Sequence, residues 1–208
     1  MSSEHSISAQ TQVLLIDDDP HLRQALSQTL DLAGLKVASL GDAREVAARL
    51  PADWPGVVVS DIRMPGIDGL ELLQQLRSCD SDLPVILITG HGDIQLAVQA
   101  MRAGAYDFLE KPFPSEALLD SVRRALALRQ LVLERREMSV TLMEMNRAIM
   151  RRAPVEPSLS DRLRDEAATW EMYANLQRRM DRLNQRLDAI ERKLEPPLPP
   201  FPEFKPQP

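Results

Sequence analysis

Acidic residues directly follow or end two apolar runs of this sequence. One run is followed at once by Asp17, Asp18 and Asp19, and a second ends at Asp61. Carboxylates that meet at one place repel one another and raise each other's pKa. A divalent cation removes this penalty, and Mg²⁺ prefers such oxygen ligands. If the fold brings the two runs together, these acids predict a magnesium site.

Two further groups follow apolar runs later in the chain, Thr89-Gly90 and Lys111-Pro112. Together with the acids they suit phosphoryl transfer, since a bound Mg²⁺ neutralises charge on a phosphoryl group. Asp61 is the predicted nucleophile, forming an acyl phosphate. Lys111 would supply a positive charge to the phosphoryl group, and the Thr89 hydroxyl would donate a hydrogen bond. Gly90 would keep the approach open.

The elements that must position these groups repeat five times over residues 12 to about 125. Each repeat pairs an apolar run with a stretch of helical periodicity. Short connections between such units predict an α/β fold with a doubly wound, five-stranded parallel sheet. In such sheets, chemistry gathers outside the carboxyl ends of the strands. The predicted strands are 13–16, 36–39, 57–60, 85–88 and 107–109, and the predicted helices are 20–33, 43–50, 70–77, 94–103 and one from Ser115.

The composition changes beyond residue 125, and no glycine follows Gly104. Residues 115–150 contain neither Pro nor Gly and favour one long helix, whose apolar positions follow heptad spacing from Leu128. Pro154 and Pro157 interrupt it. A second helix is predicted to run to Glu195, and its apolar seam consists of Tyr173, Leu176, Met180, Leu183, Leu187, Ile190 and Leu194. The seam predicts either a coiled coil or an amphipathic face that packs on its own domain.

Six regions are therefore expected. They are a disordered tail (1–11), the α/β domain (12–127), a linker helix (128–150), a Pro-containing linker (151–159), an amphipathic or coiled-coil helix (160–195) and a Pro-rich disordered tail (196–208).

The overall composition narrows the function classes. The formal net charge is −6, which argues against a protein that coats nucleic acid. The single cysteine, Cys79, has no partner for an internal disulfide, as expected in a reducing compartment. No apolar run is long enough to cross a bilayer, and the first ten residues do not resemble a signal peptide. We expect a cytoplasmic protein without membrane contact.

Four segments resemble the receiver domains of bacterial two-component response regulators, of the NtrC type and most closely those of the C4-dicarboxylate transport regulators. The resemblance covers residues 12 to about 130, and residues 151–208 resemble no family. Its motifs are LIDDD at 15–19, SDIRMPGIDG at 60–69, ITGHG at 88–92 and AYDFLEKPF at 105–113.

The resemblance implies a flavodoxin-like fold and a role for each motif. Asp17, Asp18 and Asp61 would hold Mg²⁺ with the backbone carbonyl of Arg63, and Asp61 would be phosphorylated by a sensor histidine kinase. The Lys111–Pro112 bond would be cis. Thr89 and Phe108 would move on phosphorylation and remodel the face made by the fourth helix, the last strand and the last helix. Arg63, Gly90 and His91 would modulate the site.

The family pattern breaks after the receiver. Regulators of this type continue into an ATPase domain and a DNA-binding helix pair, and neither is apparent here, because a phosphate-binding loop needs glycines. We expect a signalling switch rather than an enzyme, acting through altered protein contacts or a homodimer of the C-terminal helices. One alternative is a truncated or cryptic DNA-binding transcriptional regulator. The other is a haloacid-dehalogenase-like phosphatase with Asp17 as nucleophile, which leaves the Asp61 motif unexplained.

Overall fold

The computed structural model describes residues 7, 8, 10–90, 94–151 and 159–194, with backbone alone at 94, 149–151, 159–169 and 191–194. The strands are β1 (Val13–Ile16), β2 (Val37–Leu40), β3 (Val57–Asp61), β4 (Val85–Thr89) and β5 (Asp107–Glu110). The helices are α1 (Pro20–Leu32), α2 (Val46–Arg49), α3 (Gly69–Cys79), α4 (Ile94–Arg102), α5 (Ser115–Arg151) and α6 (Leu159–Leu194). The chain divides into two units after Leu133.

The first unit is built on a five-stranded, wholly parallel sheet in the order β2-β1-β3-β4-β5. Every residue of β1, β3 and β4 is buried. Strands covered on both faces are continuous apolar runs, which explains why these three were visible in the sequence. The predicted α/β fold with a doubly wound parallel sheet is confirmed.

Neighbouring residues of each strand point to opposite faces, and two apolar clusters result. One contains Leu14 and Val58 with the inner face of α3, represented by Leu72 and Leu76. The other contains Leu15, Val59 and Ile86 with residues of α1 and α5, namely Leu26, Leu30, Leu118, Val122 and Ala125. The sheet therefore forms the middle of three layers, and its carboxyl edge is fixed from both sides.

The second repeat differs from its prediction. A helix was expected over 43–50, but α2 has four residues and its N-cap, Glu45, makes no side-chain cap hydrogen bond. Instead, the Asp42 carboxylate accepts a hydrogen bond from the Arg44 backbone N–H at 2.8 Å. Such a local turn competes with the first helical turn, which shortens the helix.

The start of the chain differs from its prediction only at the residues that the structure describes. A disordered tail was expected over 1–11, of which residues 1–6 and 9 lie outside the described residues. In the described part, Ile7 packs against the first apolar cluster and Thr11 is buried. The Trp54 indole N–H donates to the Ser8 carbonyl at 3.3 Å. The described part of this segment is therefore held by the first unit, because the buried indole needs an acceptor that Ser8 provides.

The second unit contains the end of α5 and all of α6. Arg179 pairs with Glu134 at 2.5 Å, and the Ser139 Oγ lies 3.9 Å from the Met180 Sδ, so these two helices lie side by side within one chain. The predicted heptad positions are the less exposed ones, including Met138 and Leu142 on α5 and Leu183 and Leu187 on α6. Pairing of α6 with a second chain stays a prediction. Residues 152–158 of the predicted linker and the whole Pro-rich tail (196–208) lie outside the described residues.

None of the described helices has both the length and the apolar composition needed to cross a membrane.

Candidate functional site

The carboxyl edge of the sheet brings together three acids and one lysine. Among the described residues, Asp17, Asp18 and Asp61 each offer one oxygen, and these oxygens lie within 4.8 Å of one another. The Lys111 Nζ lies 2.9 Å from Asp61 Oδ2 and 3.5 Å from Asp17 Oδ2. Asp17 and Asp18 follow β1 and Asp61 ends β3, and these two strands are neighbours in space, which is why residues 43 and 44 apart in sequence meet here.

Burial differs sharply between the three acids. Asp17 has no exposed surface, Asp61 is 8% exposed, and Asp18 is exposed. Burial raises the pKa of Asp17 above its ordinary value, and the nearby Asp61 charge adds to this. The Asp19 backbone N–H, which donates to Asp17 at 2.8 Å, and the Lys111 ammonium both oppose the rise in pKa. On balance, the surroundings of Asp17 favour the neutral form of its carboxyl group more than water does.

The oxygen set fits a hard divalent cation. All the donors are carboxylate oxygens, and one of them, on Asp18, faces solvent, from which a hydrated ion arrives. With three carboxylates and one ammonium, the cluster has more negative than positive charge, and a cation would balance it. The geometry thus suits Mg²⁺ held by Asp17, Asp18 and Asp61. The part predicted for the Arg63 carbonyl stays a prediction; the Arg63 side chain is exposed.

The remaining predicted site residues follow β4 and β5. Thr89 is buried, and its carbonyl accepts a hydrogen bond from the Lys111 backbone N–H at 2.8 Å, which ties β4 to the lysine. The Thr89 hydroxyl lies 3.4 Å from the Gly90 carbonyl. The peptide bond between Lys111 and Pro112 is cis.

Two predicted site residues remain, Phe108 as a switch residue and His91 as a modulating residue. Phe108 lies on β5 with 38% of its surface exposed, the outward position of a ring that was predicted to turn inward on phosphorylation. His91 lies outside the described residues.

Sequence reasoning missed two residues that shape the site. The Arg23 guanidinium on α1 donates to the Asp17 carbonyl at 2.5 Å and so holds the backbone of the acid loop. Gly69 begins α3, and a Cβ there would lie 2.5 Å from the Asp61 carbonyl oxygen and 2.8 Å from Ile62 Cα. Only glycine permits this close approach of α3 to β3. The Asp68-Gly69 pair was visible in the sequence as part of a motif, whereas nothing in the sequence marked Arg23.

Helix caps fix the two loops that carry the acids. Asp19 caps α1 by accepting from the His21 and Leu22 backbone N–H groups at 2.8 and 3.3 Å, and these bonds lower its pKa. Asp68 caps α3 by accepting from the Glu71 N–H at 2.8 Å. β1 and β3 therefore each lead into a helix whose first turn is fixed by a cap. The site is preorganised by this neighbouring secondary structure.

Comparison with known proteins places this geometry in a family. The family model of the response regulator receiver domain matches residues 13–123. The chain is 74% identical over 144 residues to the C4-dicarboxylate transport transcriptional regulatory protein DctD of Pseudomonas aeruginosa, covering 69% of this chain and 31% of that protein. It is 54% identical over 132 residues to DctD of Rhizobium meliloti, covering 64% of this chain and 29% of that protein.

A solved structure agrees with the sequence matches. The beryllofluoride-activated NtrC4 receiver domain dimer superimposes with a TM-score of 0.53 at 34% identity, covering 57% of this chain and 98% of that one. The chain spans about a third of the length of the two DctD proteins. Since these relatives are transcriptional regulatory proteins, the expectation that DNA binding is not apparent finds no support in them. The NtrC-type resemblance and the receiver function are confirmed, and this chain belongs to the response regulator receiver domain family.

Proposed function

We propose that Asp61 accepts a phosphoryl group from a sensor histidine kinase and that this modification switches the contacts made by the chain. The observation that supports the proposal is the pairing of Asp61 with Lys111 at 2.9 Å beside two further carboxylates. A lone carboxylate at a strand end would need neither partner. A carboxylate that must receive a phosphoryl group, which carries two negative charges once attached, needs both a positive charge and a cation site.

The chemistry is a phosphoryl transfer between two heteroatoms. An Asp61 carboxylate oxygen forms a bond to phosphorus as the bond between phosphorus and the donor breaks, and the donor group leaves with the electron pair. Lys111, freed from its pair with the Asp61 oxygen, then faces a phosphoryl oxygen. When bound by Asp17, Asp18 and Asp61, Mg²⁺ supplies positive charge to the phosphoryl oxygens.

The positions of Thr89 and Phe108 support their proposed role as switch residues. Thr89 shares its carbonyl with the Lys111 backbone N–H, so a shift of the lysine or of the phosphoryl group reaches β4 directly. Phe108 lies on the neighbouring β5, where Thr89 is paired with Glu110. We propose that Thr89 moves toward the phosphoryl group and that Phe108 turns inward, which changes the face formed by α4, β5 and α5. Arg63 and Gly90, and His91 outside the described residues, modulate the site in this proposal.

The proposed output is a change in association of the chain with itself or with a partner protein. Support comes from the exposed apolar residues of α4 and β5, namely Val98, Met101 and Phe108, and from the long helices that follow. The beryllofluoride-activated NtrC4 receiver is a dimer, which makes a homodimer the first association to test.

Labelling by a small phosphodonor tests the acceptor. Wild type with Mg²⁺ and radiolabelled acetyl phosphate should incorporate one phosphoryl group, and Asp61→Asn should incorporate none, since an amide is not a nucleophile toward phosphorus. Asp31→Asn, which changes an exposed acid on α1, is the matched control and should label normally. Persistent labelling of a folded Asp61→Asn variant would disprove the assignment.

Solution mass tests the output. Light scattering on wild type and on Asp61→Asn, with and without Mg²⁺ and beryllofluoride, should show a mass change in wild type alone. A constant dimer would make the helices a fixed scaffold, and a constant monomer would remove the hypothesis that the C-terminal helices pair with a second chain.

A second candidate function is regulation of transcription, favoured by the names of the two DctD relatives. A mobility-shift assay with the phosphorylated chain should then show salt-sensitive, sequence-selective DNA binding. The phosphatase alternative is not favoured, because it leaves the Asp61–Lys111 pair without a role.

A further inference from the structure

A second ion cluster lies at the opposite edge of the sheet, and the phosphoryl-transfer proposal makes no use of it. Its centre is Arg129 on α5, which has no exposed surface. Its Nε donates to the Trp54 carbonyl at 2.9 Å, and its Nη2 donates to Asp80 Oδ2 at 2.6 Å. Trp54 precedes β3 and Asp80 precedes β4, so the cluster lies at the amino ends of the strands.

The position of Arg129 on the helix makes its burial informative. Leu118, Val122 and Ala125 are the buried residues by which α5 contacts the sheet, and Arg129 continues the same face one turn later. An apolar residue is the ordinary occupant of such a position. A buried guanidinium is costly unless its donors are satisfied, and the described part of the chain offers no hydrogen-bond partner for Nη1. Packing alone therefore does not explain an arginine here.

Both acceptors of Arg129 are themselves held in place. The Trp54 ring is buried, its N–H donates to the Ser8 carbonyl, and a Cβ at Gly56 would lie 2.2 Å from the ring. Asp80 caps the end of α3 through its backbone N–H, which donates to the Leu76 carbonyl at 2.8 Å. Neither acceptor follows the arginine if the helix shifts, so the contacts define one position of α5.

A guanidinium can hold α5 in one position better than an ammonium can. Its donors form a planar, rigid fork, and two of them here reach acceptors from different loops. Buried ion pairs contribute little net stability compared with apolar packing, and their best-attested use is to fix a register.

We propose that Arg129 is a positioning residue that fixes the register and direction in which α5 leaves the sheet. Because α5 begins at Ser115, just after Lys111 and Pro112, the part of the helix that packs on the sheet starts near the acid cluster and is held further along by Arg129. A change at the carboxyl ends of the strands then moves this part of α5 as one body.

A distance measurement tests the proposal without any phosphodonor, so its outcome does not depend on Asp61. Nitroxide labels at Gln74→Cys on α3 and Gln130→Cys on α5, both exposed positions, are placed in the 208-residue chain with Cys79→Ser. Pulsed electron–electron double resonance should give one narrow distance distribution for this doubly labelled chain. With Arg129→Leu added, the distribution should become about twofold broader or more, because the part of α5 around residue 130 samples several positions.

Three variants make the test decisive. Arg123→Leu, an exposed arginine of the same helix, should keep the narrow distance. Arg129→Lys should give an intermediate width, since an ammonium lacks the fork. Asp80→Asn should broaden the distance while leaving the arginine in place, and it serves if Arg129→Leu fails to fold. A distribution as narrow as wild type in the folded Arg129 and Asp80 variants would overturn the proposal, as would equal broadening by Arg123→Leu.

Discussion

The two ion clusters at opposite ends of the strands differ in their balance of hydrogen-bond donors and acceptors. The carboxyl edge and the amino edge of the sheet are the sides at which the strands end and begin. At the carboxyl edge, Lys111 faces Asp61 and Asp17, with Asp18 close by, so acceptors exceed donors. At the amino edge, Arg129 faces one carboxylate and one carbonyl and has a donor to spare. The lysine side chain is 27% exposed, whereas the arginine side chain is 1% exposed.

This difference separates a site that exchanges ligands from one that does not. Excess carboxylates next to solvent attract a cation and can accept a new covalent group, because water and ions reach them. An arginine sealed away from water between two fixed acceptors has no such exchange open to it, and it defines geometry instead. The same sheet thus carries a reactive edge and an anchoring edge, joined by α5.

Removing Lys111 should give the largest effect, the complete loss of a response. Lys111→Ala should still be labelled at Asp61, but the mass change induced by beryllofluoride or acetyl phosphate should disappear, because nothing ties the phosphoryl group to β4 and β5. Light scattering on the labelled variant measures this. A normal phosphorylation-dependent change of solution mass in Lys111→Ala would count against the proposal that Lys111 couples the phosphoryl group to β4 and β5.

Metal affinity should distinguish the two edges next. Asp17→Asn should weaken Mg²⁺ binding by about tenfold or more, since even supporting groups of a metal site contribute that much. Asp80→Asn, a matched removal of one carboxylate charge at the other edge, should leave the affinity unchanged. Mg²⁺ titration followed by calorimetry compares them. Equal weakening in both variants would mean that overall charge, and not the local cluster, binds the ion.

The fold and the reactive edge could be predicted because their signals are local. Strands β1, β3 and β4 are buried along their whole length and appear in the sequence as unbroken apolar runs ending in acids. Strand order then brings together Asp17, Asp18, Asp61 and Lys111, as predicted. The helix α2 was predicted too long because a side-chain turn at Asp42 competes with it, a contact that apolar periodicity does not report.

The anchoring edge could not be predicted because its partners are remote. Arg129 reaches Trp54 and Asp80, which precede it by 75 and 49 residues, and no spacing rule links such positions. In the sequence it is one charged residue within a helix. Arg23 escaped for a related reason, since it donates to the backbone carbonyl of Asp17 and not to a side chain that a motif reveals. Gly69 stands within a motif, but its role, the close approach of α3 to the Asp61 backbone, is visible only in the folded structure.

The smallest predicted effect is a pair of stability changes with opposite sign in Mg²⁺-free protein. The pKa of Asp17 is raised in the fold above its value of about 3.8, chiefly by burial. The folded state therefore keeps this proton to higher pH than the unfolded state does, and the stabilisation it gives is complete below the unfolded pKa. That stabilisation is lost as the pH rises through the folded pKa. Asn does not ionise, so it loses no stabilisation in this way. The free energy of unfolding of Asp17→Asn should therefore rise relative to that of wild type over this pH window and exceed it at neutral pH.

Asp80→Asn should do the reverse and lower the free energy of unfolding by about 1–3 kcal/mol, because the buried guanidinium loses its charged acceptor. Urea unfolding with a chelator, followed from pH ~4 to ~7, measures both variants against wild type. Saturating Mg²⁺ should cancel the advantage of Asp17→Asn, since the ion stabilises the wild-type cluster by mass action, and should leave the Asp80→Asn deficit relative to wild type in place. Two changes of the same sign without Mg²⁺ would show that both edges are structural anchors, and the distinction between them would fail.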